Sequence, residues 1–290
     1  MKEICNKKFT GERALYGEKD VLVIGCAFED GESPFKECEN VEIKNSSFKW
    51  RYPVWYGRNV KADGCFFNED TRAGVWYMDG VFIKNSEFRS PKNFRRSKNI
   101  HLENVKFTGG EETLWFCDGV KLKNVEISGN YFLMNSENIV AENVNLTGKY
   151  SFDGVKNLRI ENSKLITKDA FWNSENVTVK NSLVTGEYLG WNAKNLTLID
   201  CEIESLQGLC YADNLKLINC KLKNTTLAFE YSSVEADICS GVDSVFNPKS
   251  GRIKADYIGE LIVEKDKVDE GKTIIICKNV AKRSDKPDWL

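Results

Sequence analysis

AFWNSENVTVKNSLVTGEYLGWNAKNLTLIDCEI, residues 170–203, states one phrase twice: W-N-S-E-N-V-T-V-K-N-S, then W-N-A-K-N-L-T-L-I-D-C. Trp172 and Trp191 stand nineteen residues apart, and so do Val177 and Leu196 inside the phrase. In V-T-V and L-T-L an apolar residue recurs at every second position, the pattern of a short strand with one buried face. Asn181 and Asp200 follow four residues after Val177 and Leu196. Asn tolerates left-handed backbone and bonds its own main chain, so its recurrence after a strand marks a tight turn.

The phrase extends in both directions. Its apolar anchor recurs from Val21 through Val41, Val60, Val81, Ile100, Val120 and Ile139 to Leu158, Leu215, Val234 and Ile253, mostly in steps of 19 residues. The turn position carries Asn45, Asn85, Asn104, Asn124, Asn143, Asn162 and Asn219. Inward candidates return five and seven residues after each anchor, as in Ser182 and Val184. A third apolar row lies six residues before the anchor and includes Val54, Val75, Phe94, Leu114, Phe152 and Phe171. Each period thus offers three short strands and no stretch with helical periodicity. A unit of this size cannot bury its own apolar face, and stacking such units builds a continuous core. The expected fold is all-β, one right-handed parallel β-helix of about twelve coils with three parallel sheets and an Asn ladder at one turn. On this reading residues 1–17 form an N-terminal cap, 18–261 the coils, and 262–290 a hairpin-like C-terminal cap and tail, all in one domain. A leucine-rich repeat would need a helical return, and a pentapeptide repeat would need a five-residue period that does not persist.

Composition bounds the function. Forty-one basic and forty-three acidic residues leave a formal charge of -2, so no overall field draws the chain to nucleic acid or to an anionic membrane. No apolar run has the length of a signal peptide or membrane span, which makes cytoplasmic the expected location. Ten cysteines include no C-x-x-C, and His101 is the sole histidine, so the sequence points to no metal site and no cofactor. Cys65, Cys201, Cys220 and Cys239 share the position five after the anchor and read as small stacked core thiols.

The Asn row resembles the ladder of the pectin-lyase-like superfamily of β-helices. The finer strings F-T-G-E-R-A-L-Y (9–16), D-G-E-S-P-F-K (30–36), Y-P-V-W-Y (52–56), R-A-G-V-W-Y (72–77), E-T-L-W-F-C (112–117) and G-E-Y-L-G-W-N (186–192) resemble a bacterial family known as domain of unknown function 3737. That resemblance implies the fold and carries no reaction. The superfamily's D-D and G-H-G motifs are absent, and His101 lies in N-I-H-L.

If the row six before the anchor points inward, the row five before it points outward. It reads Trp55, Trp76, Arg95, Trp115, Met134, Asp153, Trp172, Trp191, Cys210 and Phe229, beside a charged row that includes Arg72, Lys168 and Glu187. An outward aromatic strip of this size calls for a cover. The first reading is a glycan: an oligosaccharide stacks on Trp55, Trp76, Trp115, Trp172 and Trp191 while Arg72, Arg95 and Glu187 bond its polar groups. The second is a non-catalytic scaffold whose strip is a homo-oligomer interface. The third is that the longer corner before this side folds over the row, or that the alternation is one residue out of phase and the tryptophans are core. Were the protein a lyase or hydrolase, Asp153 with Lys168 is the candidate acid–base pair, with an ordinary surface ion pair as the plain alternative.

Overall fold

The computed structural model describes residues 1–287 and is built from strands and turns, with two short 3₁₀ segments, Glu69–Thr71 and Glu270–Lys272, as its helical content. The chain divides into two compact units, Met1–Gly148 and a second beginning at Lys149. Each is a parallel β-helix.

In the first unit the anchors lie in one row: Val21 pairs with Val41, Val41 with Val60, Val60 with Val81, Val81 with Ile100, Ile100 with Val120, and Val120 with Ile139. Every pairing is parallel. In the second unit Leu158 pairs with Val177, Val177 with Leu196, and Leu215 with Val234. The anchors are all at most 2% exposed. Counted along this side, the described residues hold eight strands from Lys2–Cys5 to Glu137–Lys149 and seven from Lys156–Glu161 to Thr273–Ile276. That makes fifteen coils where the sequence suggested twelve.

Two of the extra coils come from segments expected to be caps, and the range 18–261 itself holds thirteen. Lys2–Cys5 pairs in parallel with Val21–Ile24, so residues 1–17 already form a coil. At the other end D-E-G shapes no hairpin. It opens the 3₁₀ turn Glu270–Lys272, and Thr273–Ile276 then pairs in parallel with Gly251–Lys254. Tyr257–Ile262 and Asn279–Ser284 pair in parallel on the next side. Ile253 also moves: it stands beside Ala236, two positions past the anchor row.

Coils of the second side contribute the inward residues seven after the anchor. In the first unit these are Phe28, Phe48, Phe67, Phe88 and Phe107, stacked ring on ring at 5.0, 4.7, 4.1 and 5.0 Å. Such a column of offset rings places a large apolar area in the core at the coil spacing itself.

In the first unit the third side is extended only briefly, in the paired strands Val54–Trp55 and Val75–Trp76, and late in the second unit Val245 of the strand Val242–Phe246 bridges Ala228 there. Elsewhere it is a stack of turns bonded coil to coil, for example Leu114 N–H to Asn93 O at 2.8 Å and Leu133 N–H to Thr113 O at 3.0 Å. The cause is backbone handedness. Phe94, Leu114, Leu133 and Phe171 adopt φ of 55, 60, 61 and 61°, in the left-handed region. That conformation costs about 1–2 kcal/mol for a residue with a Cβ. Burying the same side chains completely recovers about 1.5–3 kcal/mol each.

Asparagine closes two corners. At the expected one, Asn104 donates to Asn85 at 3.1 Å, Asn124 to Asn104 at 2.9 Å and Asn143 to Asn124 at 2.7 Å. A second ladder stands one residue before the anchor: Asn59 donates to Asn40 at 3.0 Å in the first unit, and Asn195 to Asn176 and Asn214 to Asn195, both at 2.8 Å, in the second. Cys and Ser columns serve the buried corners, where Cys65 N–H donates to Ser86 Oγ at 3.0 Å and Cys117 N–H to Ser136 Oγ at 2.9 Å. Cys239 departs from its expected row and is exposed, because a register shift sets Ile238 opposite Cys220.

Candidate functional site

The third side of the first unit carries the outward tryptophans. A left-handed residue follows each Trp, namely Tyr56, Tyr77 and Phe116, and the indole lies outside the core across the next coil. There the ring N–H meets a main-chain carbonyl: Trp55 donates to Ala73 O at 2.9 Å, Trp76 to Lys92 O at 2.7 Å, and Trp115 to Tyr131 O. All three tryptophans are half-buried. Each indole thus straps down the corner of the following coil.

The rings also face one another along the stack. Trp55 and Trp76 lie 5.2 Å apart and within 3° of parallel. The Arg95 guanidinium comes next, 5.4 Å from the Trp76 ring and 4.3 Å from that of Trp115. Glu112 binds Arg95 and stands 3.4 Å from Lys92. Arg95 therefore completes an aromatic ladder as a paired cation, its side chain only 16% exposed. Arg72, on the preceding corner, is exposed.

One residue beyond each Trp stands a second column that the sequence reading passed over. It runs Glu37, Tyr56, Tyr77, Arg96, Phe116, with φ between 49 and 61° throughout. Tyr56 and Tyr77 stack at 4.8 Å and 7°, and the Arg96 guanidinium lies 5.0 Å from the Phe116 ring. Tyr56 is 50%, Tyr77 38% and Phe116 47% exposed, which makes this column the prominent edge of the stripe. The doublets W-Y, W-Y and W-F were its signal. Alternation assigns the residue after an outward Trp to the core, whereas a left-handed turn aims it outward as well.

The second unit repeats the strap: Trp172 donates to Tyr188 O at 2.7 Å. Its rings are less regular, Trp172 and Trp191 being 6.1 Å apart at 36°, with Tyr211 4.7 Å from Trp191. Cys210 and Phe229 leave the outward row and are fully buried. Phe229 moves because a register shift after Glu204 lengthens that coil, so its N–H meets Gly208 O and its ring turns inward.

Asp153 and Lys168 each bond elsewhere. Asp153 accepts from Asn173 at 3.0 Å, while Lys168 pairs with Glu187 at 2.7 Å and lies 5.2 Å from the Tyr188 ring. The buried carboxylate of this region is Asp169, 2% exposed, with Oδ2 lacking any hydrogen-bond partner. Burial pushes its carboxyl above the usual range, opposed by the ammonium of Lys168. Among the described residues no group of three or more His, Cys, Asp and Glu is placed to hold a metal ion, and no helix is long and apolar enough to cross a membrane.

Solved structures similar to this chain are β-helical proteins of distant sequence. HetL, a pentapeptide repeat protein involved in heterocyst differentiation regulation from the cyanobacterium Nostoc sp. strain PCC 7120, is 11% identical with a TM-score of 0.34, over 82% of this chain and 86% of HetL. The A-module of the mannuronan C-5 epimerase AlgE4 of Azotobacter vinelandii is 10% identical with a TM-score of 0.30, over 98% of this chain and 88% of the module. No curated protein matches the chain in sequence. The model of one family, described as a protein of unknown function (DUF3737), matches residues 2–276, and this chain belongs to that family.

Proposed function

We propose that the protein is a non-catalytic β-helix scaffold that assembles with a second copy of itself through the outward aromatic column of its first unit. The observation that carries this is the order Glu37, Tyr56, Tyr77, Arg96 on successive coils. A two-fold axis between Tyr56 and Tyr77 sets Glu37 of one copy against Arg96 of the other and Tyr56 of each copy against Tyr77 of the other. The stripe is self-complementary, as an isologous interface requires. Tyr, Trp and Arg are also the residues that concentrate binding energy at interfaces.

The ladder geometry supports this reading over a glycan stacked on the same tryptophans. A sugar ring needs a free aromatic face, and Trp76 has an indole on one face and a guanidinium on the other. The Trp55 and Trp76 indole N–H groups are already donated to main chain, and Arg95 is paired with Glu112 and Glu187 with Lys168. What the stripe offers a partner is ring edges, tyrosine hydroxyls, the Arg96 guanidinium and the Glu37 carboxylate, which is 48% exposed while also accepting from Tyr16 Oη at 2.7 Å. Sedimentation of the wild type against the double variant Tyr56→Ser/Tyr77→Ser tests the proposal. A dimer converted to a monomer with unchanged circular dichroism supports it, and equal masses for the two proteins abandon it.

A further inference from the structure

We infer that the outward face of the anchor sheet in the first unit holds a separate binding site, for one ring of a neutral glycan, at a gap in the second Asn ladder. The gap is Gly80. Asp20, Asn40, Asn59 and Asn99 occupy this corner on other coils with φ near 54°, and Gly80 takes the same turn at φ 78° without a side chain. Asn59 donates to Asn40 at 3.0 Å, but its own Oδ1 faces the gap with no protein donor among the described residues. Asn99, which would bond the missing amide, turns instead to Asp79 at 2.7 Å. A Cβ placed on Gly80 would stand 2.7 Å from Asn59 Oδ1, so any side chain there fills the space.

The gap opens onto a groove of about 450 Å³ lined by Asn40, Asn59, Glu42, Lys61, Phe82 and His101. This volume falls within the range of small-molecule sites, about 300–1,000 Å³. Its lining sets the class of ligand. Phe82 and His101 stand on adjacent coils with ring centroids 4.8 Å apart, both half-buried, and provide an apolar ring surface. Around them lie amides with an open acceptor, and a carboxylate and ammonium that pair at 3.4 Å between Glu42 and Lys61. The adjoining depression repeats the balance with Lys84 and Asp63 at 3.2 Å. The acidic and basic side chains that line the groove are thus paired with each other, and Met1 stands at its edge. A ring with an apolar C–H face and a rim of hydroxyl donors matches the apolar surface and the unpaired acceptor together.

The sole histidine gives a direct probe, because its Hε1 proton is one resolved NMR signal that lies inside the groove. Titration with maltotriose, cellotriose and chitotriose, against trigalacturonate and adenosine as charged and aromatic controls, is expected to shift that signal saturably for at least one neutral trisaccharide. Gly80→Asn continues the ladder in a conformation Asn accepts, so it should keep or raise the melting temperature while weakening that binding at least tenfold. Phe82→Ala, on the outward face, should weaken it similarly and serves as the second variant should Gly80→Asn misfold. No shift with any neutral trisaccharide, a shift confined to the controls, or wild-type titration of a folded variant overturns the inference. Solution mass should be unaffected by saturating sugar, which keeps this outcome distinct from that of the assembly proposal.

Discussion

The Trp55 and Trp76 indoles are parallel within 3° at 5.2 Å, and each donates its N–H to a carbonyl on the following corner. One residue type thereby does two jobs, stacking along the coil axis and tying the turn that would otherwise hang free. Truncating Trp76 removes a ring from the middle of the ladder, the Arg95 contact and one hydrogen bond. Trp76→Ala should destabilise the protein by about 2–3 kcal/mol, somewhat less than a fully buried Trp loses. Chemical denaturation followed by far-ultraviolet circular dichroism measures it, and a midpoint within error of wild type would contradict the strap.

The ladders make a prediction that separates backbone from hydrogen bond. Asn181 sits at φ 47° and donates to Asn162 at 2.6 Å. Asn181→Gly loses the side-chain bond, about 1 kcal/mol, and keeps the left-handed turn. Asn181→Ala loses the bond and adds a Cβ penalty of about 1 kcal/mol. The alanine variant should therefore be the less stable of the two in the same denaturation experiment.

Much of this was legible before any coordinates, and the remainder was hidden for physical reasons. The anchor row and the Asn181 ladder repeat a residue type at one face, and period-two alternation reads them directly. The second ladder escaped because Asn195 and its equivalents sit inside what alternation scores as an outward strand position. Ile253 misled in another way: it lies nineteen residues after Val234 and mimics the period, while the true neighbour is Ala236 in a coil shortened to 17. The tryptophans of the row lie half-exposed as alternation predicts, whereas Cys210 and Phe229 of the same row are buried. The tyrosine column beside it was missed, because left-handed residues such as Tyr56 and Tyr77 put two successive side chains outside and no strand rule allows that.

Asp169 gives a pH signature. Its folded-state carboxyl titrates above the ordinary value because burial disfavours the charge. An acid raised on folding holds its proton more tightly in the native state, so its contribution is fully present below its unfolded pKa and is lost as pH rises through the folded one. Asp169→Asn removes that loss and suits the left-handed backbone at φ 56°. The variant should melt higher than wild type at pH 7 and match it near pH 3. A stability gap independent of pH would show that the carboxyl is not the cause.

Thiol reactivity should follow the coils. Burial pushes Cys38 and Cys65 up to about 11 and Cys117 and Cys210 up to about 12. Cys5 and Cys239 are exposed and Cys277 is half-exposed. Native protein at pH 8 should be alkylated by iodoacetamide at these three and spare the seven others until denaturant is added. Peptide mass mapping that finds Cys117 modified in the native state would contradict the packed corner.

Assembly through the stripe is tested most directly by exchanging its two charges. Sedimentation equilibrium should give a dimer for the wild type, a monomer for Glu37→Arg and for Arg96→Glu, each of which sets like charges face to face, and a dimer again for the double exchange. A wild type that is monomeric at every concentration, or single variants that dimerise as wild type does, would contradict the account.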